Sequence, residues 1–599
     1  MRTERVVRSV FFLAALLSIV ISALIIGSLA KETWNFISSV EFSTLIDDGW
    51  FPRRNQFDVL TLFIGSLVVT VIAMAVAGPI GLASAIYLAE YARPRVRRVL
   101  KPALEILAGI PSIVLGVFAL VVISPNVVQK VFSDATTSNL LVAGIGVGIL
   151  TIPLVASVSE DALRSVPNSL REASFGMGAR KVTTVIRVVI PAAVSGLVAA
   201  FIIAVSRAIG ETMVVAIAGG ATGGSIRQVN PTEPGQTMTA AMAAVAPGSA
   251  RTRRPDPRSP SPACSSWAAC SSSSPSCSTW WPVGSSAGSA RGTDGRRPHA
   301  LTAETVRARL EGRRTDNSGT VFRLVLLVSL FITLALLVIL LWSQIDRGSP
   351  VLTDRLVDFL TSKYSSIPGR SGIIQGINGT LTIGLFVLII AMPLGLGAAI
   401  YLEEYAPKTR LSRIIDTNIR NLAGVPSVVY GILGLAIFAR GLRDLTGGAS
   451  IMAAGLTLAI LVLPIVIITS AEAIRAVPDS IREAGFGVGA TRWEVIRSHV
   501  LPYAMPGILT GTVLSLARAL GEAAPLVVIG ANIGFFTEGD FGDLRGDFQA
   551  LPSQIFQFAR LPENKWGAST AAAIVVLLVI VLLINSGAIA LRNRYEKKR

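Results

Sequence analysis

Long apolar runs broken by short polar loops set the pattern of this chain. The runs are continuous rather than alternating, and several reach the roughly 20 apolar residues that cross a bilayer as a helix, which favours helices over a β-barrel. In the first half they predict helices over residues 10–30, 58–91, 103–123, 139–163 and 192–219. In the second half they predict 321–342, 377–405, 421–440, 450–475, 506–529 and 568–591. The expected class is an all-α polytopic membrane protein.

The polar interruptions carry a second pattern, repetition. Ser165-Val166-Pro167-Asn168-Ser169-Leu170-Arg171-Glu172-Ala173-Ser174-Phe175-Gly176-Met177-Gly178-Ala179 returns as Ala476-Val477-Pro478-Asp479-Ser480-Ile481-Arg482-Glu483-Ala484-Gly485-Phe486-Gly487-Val488-Gly489-Ala490. Both copies lie between apolar runs, and both are followed by a matching proline, Pro191 and Pro502. A polar element kept at one place in two halves of a membrane protein reads as a docking surface presented twice by a pseudo-symmetric body.

Composition agrees. Of 599 residues 51% are hydrophobic and only 15% charged, where a soluble protein carries about a quarter. The net charge of +17 raises the question of nucleic acid, but the Lys and Arg flank apolar spans, where they hold loops in the cytoplasm. The basic residues Arg2, Arg5 and Arg8 precede the first run and no small-residue cleavage site follows it, so it reads as a retained helix. Basic clusters at Arg93, Arg95, Arg97, Arg98 and Lys101, at Arg164, Arg171, Arg180 and Lys181, and over 592–599 place both termini and both repeated loops inside. The loop at 41–48 falls on the other side.

Five runs in one half and six in the other contradict the repeat. Five spans would leave Arg307, Arg309, Arg313 and Arg314 outside and invert the second half. The missing span belongs where composition breaks, over about 249–300, a Ser/Pro/Arg-rich stretch holding all three cysteines, Cys264, Cys270 and Cys277. A disordered linker is one reading of that segment. A metal or disulfide cluster is another, with no histidine at ligand spacing to support it. The genetic code offers a third. Cys and Trp codons begin TG and most Ser codons TC; read one nucleotide earlier they acquire a central T and specify Leu, Ile, Val, Met or Phe. The stretch would then be nearly one span of apolar sequence. The expected organisation is a first membrane half over 1–248, an out-of-frame segment over 249–300, a basic cytoplasmic segment over 301–320 and a second half over 321–599. Such a shift can also remove a stop codon and join two adjacent genes.

The repeated loop has the parts of a stiff helical hairpin. Ser169-x-x-Glu172 and Ser480-x-x-Glu483 match capping boxes, Pro167 and Pro478 stop the arriving helix, and Gly176, Gly178, Gly487 and Gly489 end the short helix in a turn. Phe175 and Phe486 are expected to be exposed. The spacing Glu-Ala…Gly…Ile/Leu-Pro resembles the coupling loop of the membrane subunits of binding-protein-dependent ABC importers, which implies two six-helix permease repeats. It further implies that Glu172, Ala173, Gly178, Glu483, Ala484 and Gly489 seat against a separate cytoplasmic ATPase dimer and pass its movement to the membrane helices.

A second repeated pair concerns the substrate. Arg207 and Glu211 lie deep in the fifth run, and Arg518 and Glu522 are their counterparts. Residues four apart share a helix face and can pair, and a charge at membrane depth costs about 2.5 kcal/mol or more. A neutralised structural salt bridge is one reading. An electropositive passage for an anion is the other. Arg-Ala-Ile-Gly-Glu-Thr-Met over 207–213 and Arg-Ala-Leu-Gly-Glu-Ala-Ala-Pro over 518–525 look like the two permeases of the phosphate-specific ABC uptake system. Ala-Gly-Ile-Pro-Ser at 108–112, Ala-Gly-Val-Pro-Ser at 423–427, Tyr-Leu-Ala-Glu-Tyr at 87–91 and Tyr-Leu-Glu-Glu-Tyr at 401–405 match it too. The resemblance implies an extracytoplasmic phosphate-binding protein as a further partner and a bacterial inner membrane as the location.

Bringing a dianion into a negative interior costs roughly 2.3 kcal/mol per charge per 100 mV, so uphill uptake needs a motor. The chain has no Gly-x-x-x-x-Gly-Lys-Ser/Thr loop; ATP and Mg are expected on the partner ATPase, with no cofactor or metal and no catalytic residue in this chain. Two alternatives stay open: a permease for another oxyanion such as sulfate or molybdate, and an ion-coupled secondary transporter with internal repeats. With His299 and His499 the only histidines, nothing indicates a soluble enzyme.

Overall fold

The computed structural model describes all residues except 1, 41–44, 47–48, 55, 221–223, 228, 246–316, 408, 532–541 and 598–599. The expected linker or out-of-frame segment at 249–300 lies outside the described residues.

Half one comprises α1 (Arg2–Ser39), a two-stranded antiparallel hairpin of β1 (Trp50–Phe51) and β2 (Gln56–Phe57), α2 (Val59–Ile86), α3 (Pro94–Ala108), α4 (Ser112–Phe118), α5 (Leu140–Arg164), α6 (Asn168–Gly176), α7 (Val194–Gly210), α8 (Met213–Ala218) and α9 (Met238–Val245). Half two repeats the order as α10 (Asn317–Asp354), α11 (Ile374–Ile400), α12 (Arg410–Ala423), α13 (Ser427–Gly434), α14 (Ile451–Arg475), α15 (Asp479–Gly487), α16 (Leu501–Gly521), α17 (Ala524–Ile529), α18 (Leu551–Phe558) and α19 (Glu563–Lys597). Among the described residues nine helices are long and apolar enough to cross a membrane, and eleven if two bent pairs each count as one. These are the five and six spans read from the sequence.

Polar caps fix where the spans begin. The Asp58 side chain accepts from the amides of Leu60 and Thr61, Asn139 from Val142, and Ser450 from Ala453, satisfying donors that would otherwise end bare at the membrane. Paired prolines, Pro79 with Pro393 and Pro153 with Pro464, sit inside the long helices, tolerated because neighbouring helices cover the broken backbone. Within each half α2 packs on α5, and α11 on α14, at glycine contacts. A Cβ added at Gly81 would stand 2.7 Å from Cβ of Val155, and one at Gly395 2.6 Å from Cγ1 of Val466.

The halves exchange their first helices. α1 packs on α11 and α12 of half two, with Phe12 edge-on to Tyr401 and Phe11 beside Tyr405 and Trp493. α10 in turn packs on α2, with Phe322 edge-on to Tyr91 and Leu326 and Leu330 in one cluster with Tyr87 and Leu104.

Two spans differ from expectation. The single helix over 103–123 is two: α3 ends at Ala108 and α4 starts at Ser112. In half two the matching pair bends by 100°. Pro111 and Pro426, each extended at φ −56°, force the break, since the residue before a proline avoids the α region. α3 and α12 are strongly amphipathic pieces, not parts of the span. The helices over 192–219 and 506–529 also break, at Glu211 and Glu522.

Candidate functional site

Each repeated loop is a short helix as expected, but it starts differently. α6 and α15 begin immediately after Pro167 and Pro478, which occupy the cap position and offer no side-chain bond. Ser169 and Ser480 therefore sit inside the first turn, and the expected capping boxes are not formed. The capping box of this region is downstream, where Thr491 and Glu494 close reciprocally on each other's backbone. The glycine turns are as expected: α6 and α15 end at Gly176 and Gly487, and Gly178 and Gly489 take φ +76° and +83°, a region open mainly to glycine. Glu172, Ala173, Glu483 and Ala484 are exposed on the outer face. Beside them stand Phe175 at 46% and Phe486 at 47% exposure, with Met177 and Val488 more exposed still. Each loop thus offers a small apolar patch with an acidic neighbour.

The anchor beneath this surface was missed in the sequence. α2 and α11 each end in one π-helical turn, Tyr87–Tyr91 and Tyr401–Tyr405. Glu90 of the first turn takes Nε and Nη2 of Arg171 on one carboxylate oxygen at 3.1 and 2.9 Å. The remaining donors of Arg171 reach the carbonyls of Val166 and Leu163. Glu404 holds Arg482 at the same two distances, and Arg482 reaches Val477 and Ile474. Tyr91 lies under the Lys181 ammonium and Tyr405 under the Arg492 guanidinium. Each of the two short loop helices, α6 and α15, is therefore bolted to the end of a membrane-spanning helix by a largely buried, charge-assisted pair. The recurrence of Arg and Glu in both copies was the available signal.

The charged pairs of the fifth spans also change their setting. α7 runs to Gly210 and stops; Glu211 is extended at ψ 128°, and α8 resumes at Met213. α16 stops at Gly521, Glu522 is extended at ψ 119°, and α17 resumes at Ala524. So each glutamate occupies the break between two helical pieces, not one uninterrupted face shared with its arginine. Arg518 still reaches Glu522 with Nε 3.5 Å from Oε1, while the Glu211 carboxylate stands beside the Ser112 hydroxyl and the Val214 amide. The four charges are close enough to act on one another across the halves. Nε of Arg207 and Nε of Arg518 are both buried without a hydrogen-bond partner.

The breaks meet at the seam between the halves. A Cβ on Gly521 would stand 3.1 Å from Cγ of Pro111, and one on Gly210 3.4 Å from Cγ of Pro426. The Gly-x-Pro-Ser turn of each half thus presses on the arginine-bearing helix of the other. Behind each break lies a short buried helix the sequence did not reveal. The chain descends through residues 235–237, where the Gly235 amide bonds the Gly219 carbonyl, to α9, where Thr239 donates to the Glu211 carbonyl at 2.7 Å. α18 is its counterpart, with the Leu551 amide on Thr380 and Gln554 on the Gly372 carbonyl. α9 touches α13 and α17 of half two, and α18 touches α4 of half one.

The family model described as "Binding-protein-dependent transport system inner membrane component" matches residues 77–250 and 391–597. The chain belongs to that family. It is an integral, multi-pass permease of a bacterial inner membrane, and it carries the family's domain twice. Among curated proteins it is 35% identical over 265 residues to "Phosphate transport system permease protein PstA 1" of Mycobacterium tuberculosis (strain CDC 1551 / Oshkosh), covering 43% of this chain and 84% of that one. It is 34% identical over 197 residues to "Phosphate transport system permease protein PstC" of Mesorhizobium japonicum, covering 29% of this chain and 60% of that one. A chain of the MetNI methionine ABC transporter aligns at 20% identity and a TM-score of 0.31, covering 37% of this chain and 95% of that one; a likeness that low carries no argument.

Proposed function

We propose that this chain forms the translocation path of an ATP-driven importer of inorganic phosphate. α6 and α15 dock two copies of a separate ATPase, on which ATP and Mg are bound and hydrolysed, and an extracytoplasmic binding protein delivers phosphate to the opposite face. Both termini and both coupling loops are cytoplasmic. The observation that carries this reading is the pair of arginines, Arg207 and Arg518, set at helix breaks where the two halves meet, in a chain whose curated relatives include phosphate permeases by name. Two guanidiniums with buried, unbonded donors present charge to an anion in a low-dielectric setting, where it acts strongly. Movement of α6 or α15 reaches them because Glu90 and Glu404 tie each loop to α2 and α11, which pack on the helices bearing the arginines.

Glu211 and Glu522 fit a choice between oxyanions. Monohydrogen phosphate keeps a P–OH that can donate to a carboxylate; sulfate has no proton to give and is repelled. The test is uptake of labelled phosphate by the permease reconstituted with its ATPase and binding protein in proteoliposomes. Arg207→Gln with Arg518→Gln is expected to abolish ATP-dependent uptake, and Glu211→Gln or Glu522→Gln to raise inhibition by sulfate. Uptake that continues without the ATPase would overturn the importer assignment, and unchanged sulfate discrimination would remove the glutamates from selection.

A further inference from the structure

One small cavity lies at the seam immediately beyond the charged cluster, on the side away from the coupling loops. Its volume is about 20 Å³, room for one water molecule. From half one it is lined by Val215 and Ala216 of α8, by Gln236 and by Ala240 of α9; from half two it is lined by Phe556 of α18 and by Arg560. α8 directly follows Glu211, and α9 is bonded to the Glu211 carbonyl through Thr239. The cavity is therefore the next compartment outward from Arg207 and Arg518.

Its two polar side chains are unusual. Gln236 is 96% buried by its exposure of 4%, and its Oε1 has no hydrogen-bond partner. Leaving such an atom unbonded is costly, which a packing role for the side chain would not explain. Arg560 follows α18, is exposed at one end and lies against the Phe556 ring at 5.5 Å. Among the described residues no carboxylate pairs with it; the neighbouring acid, Glu563, is taken by Arg347.

We propose that Gln236 and Arg560 form an outer subsite for a tetrahedral oxyanion, occupied when α9 and α18 part and collapsed to one water's volume when they close. Arg560 supplies the charge, and the Gln236 carboxamide accepts the P–OH that a phosphate carries. The subsite holds the anion released at the outer mouth until the arginines inside receive it, and prevents its return to the binding-protein side. This rests on the phosphate reading above, and the experiment separates the two.

The complete complex in proteoliposomes is assayed for phosphate moved per ATP hydrolysed and for the binding-protein concentration giving half-maximal ATP hydrolysis. Arg560→Gln is expected to lower phosphate per ATP about tenfold, the low end of the scale of a lost local field, while the binding-protein requirement stays constant. Arg560→Lys, which keeps the charge, retains most of the ratio. Glu introduced by Gln236→Glu sets a fixed anion in the cavity and lowers the ratio further. A ratio unchanged in both Arg560→Gln and Gln236→Glu overturns the subsite. So does a fall matched by an equal fall in stimulated ATP hydrolysis, which marks a structural role, or a raised binding-protein requirement, which marks a docking role. If the unmodified complex moves no phosphate at all, the phosphate reading itself fails.

Discussion

Arg171 and Arg482 each spend four donor contacts on a carboxylate and two helix-terminal carbonyls, and this makes them the rigid points of the two repeated loops. Removing one partner of such a pair leaves the other charge shut away from water, at a cost of about 3 kcal/mol or more where the pair is buried. These pairs are largely but not fully buried, so the lower end applies. Glu90→Gln with Glu404→Gln is therefore expected to free both loops, lowering ATPase retention on the purified complex at least tenfold, while Glu403→Gln, whose partner Arg475 is mostly exposed, changes little. Hydrogen exchange over 168–176 and 479–487 reads the same event directly; unchanged protection would count against the anchor. The partners stand 81 and 78 residues apart in the chain, so no helical spacing announces them. Arg207, Glu211, Arg518 and Glu522 were legible because charge inside an apolar run is rare. Gln236 and Arg560 were not, since nothing about an amide or an arginine in a loop marks its place at a seam.

At the scale of elements, prolines decided what propensity alone did not. The spacing Ser-x-x-Glu favours a capping box, but Pro167 and Pro478 already hold the entering backbone at φ −58° and start the helix two residues sooner. Ser169→Ala and Ser480→Ala are accordingly expected to be near neutral. Thr491→Ala, which removes the cap actually made, should cost about 1 kcal/mol and be visible as a lowered unfolding midpoint of the detergent-solubilised protein. At Gly178 and Gly489 a Cβ would meet open space, yet their positive φ makes Gly→Ala there unfavourable by about 1 kcal/mol. That change acts on the angle at which α6 and α15 are presented, so it should weaken ATPase binding more than it lowers the unfolding midpoint. Long spans were readable from hydropathy because each is one continuous run. Their breaks at Glu211 and Glu522, and the short buried α9 and α18, were hidden because an extended stretch enclosed by protein is as apolar as a helix.

Across the whole molecule the halves match helix for helix as far as α9 and α18, and the two-fold relation then makes a demand on the sequence. α18 leads into α19, which packs against α10 and α16 and completes half two. After α9 the chain enters residues 246–316, outside the described residues, where the amino acids as written are Ser, Pro, Arg and Cys rather than a span. On the topology proposed above, with both repeated loops in the cytoplasm, the chain needs one more crossing before α10, and the basic residues Arg307, Arg309, Arg313 and Arg314 suit a cytoplasmic return. Cys264, Trp267, Cys270, Cys277, Trp280 and Trp281 all have codons that begin TG, so a frame displaced by one nucleotide turns each into an apolar codon. The coding DNA over this stretch is expected to contain, in the displaced frame, a run of roughly 18 apolar residues, close to one bilayer crossing. Intact mass measurement is the companion test: the displaced frame should yield two shorter permeases that assemble by exchanging α1 and α10, the contact that already binds each half to the other. A displaced frame without that run, together with a single product of the full mass, would leave half one with five crossings and break the two-fold relation on which the proposed docking of both repeated loops to one ATPase dimer depends.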